Sequence, residues 1–303
     1  MSLTSLLRGA ALLTAGLLLS TPLLAAARTI DGAYGSVELS GTPQRVVALG
    51  ENALDAALSL GIQPLGSLAS RGGSDVPHYL KAKAGTITLV GSVREPNLEA
   101  ILALQPDLIL ASGDLPNDLY AKLSLMAPTV VPKGGTFQDW RQTYSTYALA
   151  LNQSEQAEQR IAEIDTRIAA LRERMPQDQQ VSVVRWNPQG PFIMSSHLFV
   201  GQLLQTLGLK ANELAAAQQR KPHSDIISLE NLAKVDADWI FLATLNPDGR
   251  KALDDARQQP AFTRLKAVEN DRVISVDGQI WSSSSGYLAA QHILDDVEKA
   301  LAR

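Results

Sequence analysis

VGSVREPNLEAILALQPDLILAS, residues 90–112, sets two periodicities side by side. NLEAILALQ carries its apolar residues at helical spacing, and DLILA is a short apolar run of the kind that forms a strand buried on both faces. A helix leading into such a strand, with an Arg94-Glu95-Pro96 turn in front of it, is one unit of an α/β lobe.

The same alternation extends outward in both directions. Before it come RVVAL (residues 45–49), the helical LDAALSLG, IQPLGSLA and TITLVG; after it come a helix near residues 118–125 and TVVP. From Trp140 to Met175 the character changes. Tyr144, Tyr147, Leu151, Ile161, Ile164, Ile168 and Leu171 recur at helical spacing on a polar background, which predicts a helix with one packed face and one solvated face. Asn152 followed by Glu155 is either a capping box that restarts this helix or a pair of surface positions within it. Beyond Pro176 the alternation resumes with VSVVRW, PFIM, a helix over 199–207, ADWIFLA, RVISV and a terminal helix over 286–302. The predicted architecture is therefore two α/β lobes, residues 28–138 and 176–303, joined by one long α-helix over 139–175. Ligand sites favour the cleft that such an arrangement leaves between the lobes.

Residues 1–27, MSLTSLLRGAALLTAGLLLSTPLLAAA, have one positive charge at Arg8, an apolar centre and a small-residue run at Ala25 to Ala27. This reads as a cleaved secretory signal peptide, which places the mature chain in the periplasm. The alternative, a membrane anchor, is disfavoured because the apolar run falls short of the roughly 20 residues that span a bilayer. The chain has 27 basic and 31 acidic residues, and removing Arg8 leaves 26 against 31, a mildly acidic protein for which nucleic acid is not an expected partner. With no cysteine, stability has to come from a packed core.

GxGxxG after a strand, GxxxxGK[ST], GxSxG and HExxH are all missing, and Ser282 to Ser285 lacks the leading glycine of a nucleophile elbow, so no catalytic residue is assigned. The chain has 4 histidines. His78, His197 and His223 lie in expected loops and His292 in an amphipathic helix, a poor basis for a resident metal; no metal site and no cofactor are expected. More informative are the polar and aromatic residues that follow strands: Glu51 and Asn52, Arg71, Arg94 in the quoted turn, Trp186 and Asn187, and Asn246. Arginine supplies a planar fork of donors for carboxylate, catecholate or hydroxamate oxygens, and tryptophan a broad apolar face. Together they suit a large, oxygen-rich, partly apolar anion, although each arginine taken singly fits a solvated salt bridge equally well.

TPQRVVALGENALDAALSLGIQPLGSLAS, VGSVREPNLEAILALQPDLILAS, ISLENLAKVDADWIFLA and RVISVDGQIWSSSSGYLAAQHILDDV, in that order, resemble a periplasmic substrate-binding protein of the iron-siderophore ABC importer family, in its ferric-dicitrate and ferric-hydroxamate branch. The resemblance spans the mature chain. It implies two Rossmann-like lobes on a helical backbone that open and close only slightly. It also implies capture of a ferric siderophore, delivery to an inner-membrane ABC permease driven by a separate ATPase, and no catalysis, with the protein a monomer. On the same footing Arg94 becomes a contact to chelate oxygens, and Glu99 and Glu230 become one permease-docking acid per lobe, although both also sit where a helix dipole favours a carboxylate. Where the dicitrate branch carries basic residues this chain has Ser282 to Ser285, Ser283 among them, which points to a ligand less anionic or larger than iron dicitrate. Trp281 and Trp186 become apolar walls or core residues. A haem or cobalamin carrier of the same superfamily is the alternative; Tyr79, Tyr120 or His197 would then serve as the haem axial ligand. A periplasmic enzyme that frees iron from the chelate is a further one.

Overall fold

The computed structural model describes residues 27–176 and 178–301, so the expected signal peptide falls, apart from Ala27, outside the described residues. An antiparallel hairpin, β1 (Ala27–Gly32) and β2 (Gly35–Ser40), opens the chain. The first lobe is a parallel sheet of β3 (Val46–Leu49), β4 (Gly66–Ala69), β5 (Thr88–Ser92), β6 (Leu108–Ala111) and β7 (Thr129–Val130), in the order β5-β4-β3-β6-β7. VVAL and LILA are buried along their whole length, as strands covered by helices on both faces must be. Helices α1 (Glu51–Ser59), α2 (His78–Ala84), α3 (Leu98–Ala103) and α4 (Asn117–Ser124) link them. The strand order reverses between β3 and β6, and a crevice opens beyond the carboxyl ends of strands at such a point.

The second lobe repeats the plan with β8 (Gln180–Asn187), β10 (Lys210–Ala211), β11 (Trp239–Thr244) and β12 (Val273–Asp277) parallel in the order β10-β8-β11-β12, and β9 (Gly190–Ile193) antiparallel to β8. Its helices are α7 (Phe199–Thr206), α8 (Glu213–Ala216), α9 (Pro247–Ala256), α10 (Pro260–Thr263), α11 (Lys266–Glu269), α12 (Gly278–Ser282) and α13 (Tyr287–Leu301).

The connector is two helices rather than one, α5 (Trp140–Ala150) and α6 (Ser154–Arg174). Asn152 takes a left-handed φ of 61°, and the carbonyls of Leu149 and Ala150 that would have continued the helix accept instead from the Arg28 guanidinium at 2.7 and 2.6 Å. A cation on the last turn and a residue suited to the left-handed region together end α5. The hairpin that supplies Arg28 is a feature the sequence pattern did not announce.

A second departure is that α13 does not belong to the second lobe alone. It packs against α1 and α6, and one apolar core runs from α1 through α5, α6 and α7 to Ile293 and Val297 of α13, with smaller cores on the outer side of each lobe. Asp55 of α1 is wholly buried where the two lobes meet. Its carboxyl oxygens accept the first backbone N–H groups of α13, Leu288 at 3.0 Å and Ala289 at 2.9 Å, and the Tyr79 hydroxyl at 3.2 Å. Gly286, with φ of +144°, makes room, because a Cβ there would lie 2.5 Å from the Asp55 carboxyl. A second tie crosses at the surface, where Gln279 accepts from the His78 backbone N–H at 3.0 Å and donates to Ser70 at 2.9 Å, and Asp277 pairs with the His78 ring.

Burial pushes the Asp55 carboxyl up to about 7, against the donors that surround it. An acid whose folded pKa lies above its unfolded value binds more protons when folded, so its contribution to stability falls as pH rises from about 4 to about 7. Denaturant unfolding should show that fall in the wild type and lose it in Asp55→Asn. Asp55→Ala should destabilise by about 2–4 kcal/mol near pH 4, because helix-end donors are left buried without acceptors, and by less as pH approaches 7.

Candidate ligand-binding site

The carboxyl ends of β3 and β6 in the first lobe face Leu198, Phe199 and Ser282 to Ser285 of the second across a cleft of about 1210 Å³, counting the space open at its mouth. Its apolar surface includes Leu68, Val93, Leu115, Leu119, Leu198 and Phe199; its polar surface includes Ser112, Asp114, Thr136 and Gln138.

Of the residues expected from sequence, Glu51, Asn52, Arg71, Trp281 and Ser283 meet here. Glu51 opens α1 directly after β3, and its Oε1 accepts the Arg71 backbone N–H at 2.8 Å, which fixes the loop after β4 to the end of β3. The other carboxyl oxygen, Oε2, and the Ser283 hydroxyl are shielded from solvent and have no hydrogen-bond partner. Burial raises the Glu51 pKa, opposed by the Arg71 N–H and its charge. Asn52 accepts from the Ala53 N–H at 2.9 Å and so orders the first turn of α1.

The other expected residues lie elsewhere. The turn that opens the sequence argument is the tip of a tight hairpin: Ser92 and Glu95 exchange backbone hydrogen bonds at 3.1 Å, and Gly91 bridges to Pro96 with φ of +101°, where a Cβ would lie 2.4 Å from the Glu95 carbonyl. Val93 and Pro96 line the cleft, while Arg94 is exposed and outside the lining. Trp186 is buried edge-on to Phe262, with ring centroids 6.2 Å apart, in the outer core of the second lobe. Trp281 has no exposed surface; it stacks on Phe241 at 4.3 Å and donates to Asp296 at 2.9 Å, so it is cleft floor and core rather than an open wall. Asn187 ends β8 opposite Gly190, and Asn246 caps α9 by accepting from the Gly249 N–H at 2.9 Å. The His197 ring lies 3.2 Å from the Ala216 carbonyl. Tyr79 is committed to Asp55, and Tyr120 stacks on Tyr34 at 4.2 Å. Glu99 and Glu230 are exposed near the starts of α3 and a 3-10 helix at Leu229–Val235. Among the described residues no group of three or more His, Cys, Asp or Glu converges as a metal site would require.

One functional candidate escaped the sequence reading. Arg185, in β8, is 8% exposed, its Nε has no partner, and it forms no ion pair among the described residues. Its guanidinium lies over the Phe192 ring at 5.5 Å and close enough to Arg71 to feel its charge. Burial, and then Arg71, lower its pKa, but an arginine stays charged under any such shift. Two cations, one lining the cleft and one buried without an ion pair among the described residues and feeling the charge of the first, form a candidate seat for an anion.

A two-lobed α/β protein with a cleft at its strand ends, a buried cation near that cleft and lobes tied by shared helices is a ligand-binding protein in design. The chain belongs to the periplasmic binding protein family, whose model matches residues 46–280. It is 31% identical over 282 residues to a probable siderophore-binding lipoprotein of Bacillus subtilis (strain 168), covering 89% of this chain and 86% of that protein. It is 27% identical to the Fe(3+) dicitrate-binding periplasmic protein of Escherichia coli (strain K12), with 90% of each covered. The crystal structure of Staphylococcus aureus SirA complexed with staphyloferrin B superposes with a TM-score of 0.80 at 29% identity, covering 91% of this chain and 98% of that one.

If the arginine pair seats the ligand, Arg71→Ala and Arg185→Met should each weaken binding by about 1–3 kcal/mol, the cost of a lost charge-assisted contact. Arg94→Ala should leave affinity within about twofold of the wild type. Equilibrium titration of the three variants with one ferric chelate checks both statements.

Proposed function

We propose that this protein captures a ferric siderophore in the inter-lobe cleft, intact and unaltered, after export to the periplasm, and passes it to an inner-membrane ABC permease worked by a separate ATPase. The observation that carries the reading is Arg71 in the cleft lining with Arg185, buried and in no ion pair among the described residues, near enough to feel its charge. A bare guanidinium inside a protein is costly unless an anion reaches it. The lining carries one cation, Arg71, and only two acids, Glu51 and Asp114, which suits a chelate of moderate negative charge with apolar parts. The relatives named above are consistent in kind, since their names specify siderophore or iron dicitrate.

Trp281 at the cleft floor makes intrinsic fluorescence a sensitive readout. Quenching that saturates is expected with ferric staphyloferrin B or a comparable carboxylate-bearing ferric siderophore, and weaker quenching with ferric citrate. No response to ferric siderophores, together with a Soret band in the purified protein, would overturn the reading in favour of haem.

The permease-facing part of the proposal rests on Glu99 and Glu230, one exposed acid on each lobe and both outside the cleft. Reversing both charges to lysine should leave ferric-siderophore affinity unchanged and abolish uptake in cells. Loss of affinity instead would move these residues into ligand binding.

A further inference from the structure

Capture of an anion leaves one feature of the cleft unexplained, a half-buried carboxyl group in its lining. Glu51 Oε1 is engaged as acceptor to the Arg71 N–H at 2.8 Å, whereas Oε2 is screened from solvent and has no partner. An ionised oxygen left so would cost the full desolvation of a charge and would repel an incoming anion. A proton resolves both difficulties, and with Oε1 occupied as acceptor the proton belongs on Oε2. We propose that Glu51 acts in its protonated form, Oε2–H donating a hydrogen bond to an anionic oxygen of the bound chelate, so that ligand capture takes up a proton from solvent and tightens as pH falls. The inference rests on the siderophore-capture reading and adds to it a proton-linked specificity residue.

The surroundings of Glu51 act mainly in the same direction. Burial raises its pKa. Asp114 lines the same cleft beyond β6 and adds negative charge to it, while Asp55, one turn further along α1, is itself pushed toward its neutral form by burial. Tyr79 of α2 feels the Glu51 charge and is kept protonated by burial. His78, on the same helix, is engaged by Asp277 and Gln279 of the second lobe. Arg71 favours the ionised form, but its direct contact with the carboxyl is a backbone N–H that Oε1 satisfies in either protonation state. An anion bound at the two arginines would take up their charge and remove this opposition, which is how ligand and proton reinforce one another.

The test compares wild type with Glu51→Gln, whose amide N–H can donate at every pH. Affinities for ferric staphyloferrin B and ferric citrate are measured from about pH 5 to about pH 8, so that titration of the chelates themselves is common to both proteins. The variant should match wild type within about threefold at the acid end, and wild-type affinity should fall more steeply with rising pH, by up to about tenfold per unit relative to the variant. In the ligand-free protein, the 13C carboxyl resonance of Glu51, assigned by its loss in the variant, should titrate above the other glutamates. Parallel pH curves, or a variant weakened more than about tenfold throughout because Glu51 accepts from a ligand ammonium or hydroxyl, would overturn the inference while leaving capture intact. If neither chelate binds the wild type, the capture reading fails and this inference falls with it.

Discussion

The architecture depends on one carboxyl group. Asp55 leaves the first lobe, enters the joint between the lobes and accepts N–H groups of the first turn of the last helix, Leu288 and Ala289 among them. A helix N-terminus buried without acceptors is not tolerable, and a carboxylate is the acceptor best matched to it. The consequence is geometric, because α13 is thereby fixed to α1 while its other faces pack on α6 and α7. Arg167 and Arg174 of α6 reinforce the seam through Asp295 and Glu298 of α13. Lobes joined through a continuous core cannot hinge widely, so the cleft is largely formed before a ligand arrives.

A preformed cleft changes what its residues have to do. Arg185 is held buried with its Nε unsatisfied, and Ser283 and Glu51 each keep a polar atom shielded and unpartnered. Such groups are destabilising in an empty protein. Glu51 and Ser283 line the cleft and Arg185 feels the charge of Arg71 in that lining, an arrangement that makes sense as stored binding capacity, which an oxygen-rich anion of the right shape discharges. The apolar wall of Val93, Leu115, Leu119 and Phe199 adds contact for the organic part of such a ligand.

Much of this was legible in the sequence, for physical reasons that also mark its limits. Strands such as VVAL and LILA are buried on both faces, so their unbroken apolar runs betray a parallel sheet, and the residues that follow them reach the cleft, as Glu51, Asn52 and Arg71 do. Side-chain direction was not legible. In the Ser92–Glu95 turn it is Val93, not Arg94, that reaches the cleft, because the one-residue alternation of a tight hairpin decides which side chain points inward. Trp186 and Arg185 show the same effect within one strand: alternation sends the indole to the outer core and its neighbour to the other face. The available signal was a lone charge inside an otherwise apolar strand, in VSVVRW. The connector does break at Asn152, but not through the capping box that the Asn152 and Glu155 pattern offered as one reading: Gln153 precedes α6 with no side-chain cap and Asn152 donates to Thr42. The Arg28 guanidinium that ends α5 comes from a hairpin more than a hundred residues away, a tertiary contact that no local pattern records.

The central claim is that an iron chelate sits whole in the cleft against the arginine pair. Anomalous diffraction at the iron edge from crystals of the protein loaded with ferric staphyloferrin B addresses it directly. A single iron peak between the end of β3 and Ser282 to Ser285, with chelate oxygens on the Arg71 and Arg185 guanidinium groups, is the result this account requires. An iron peak on the outer surface of either lobe, or a chelate in the cleft with both arginines turned away from it, would contradict it.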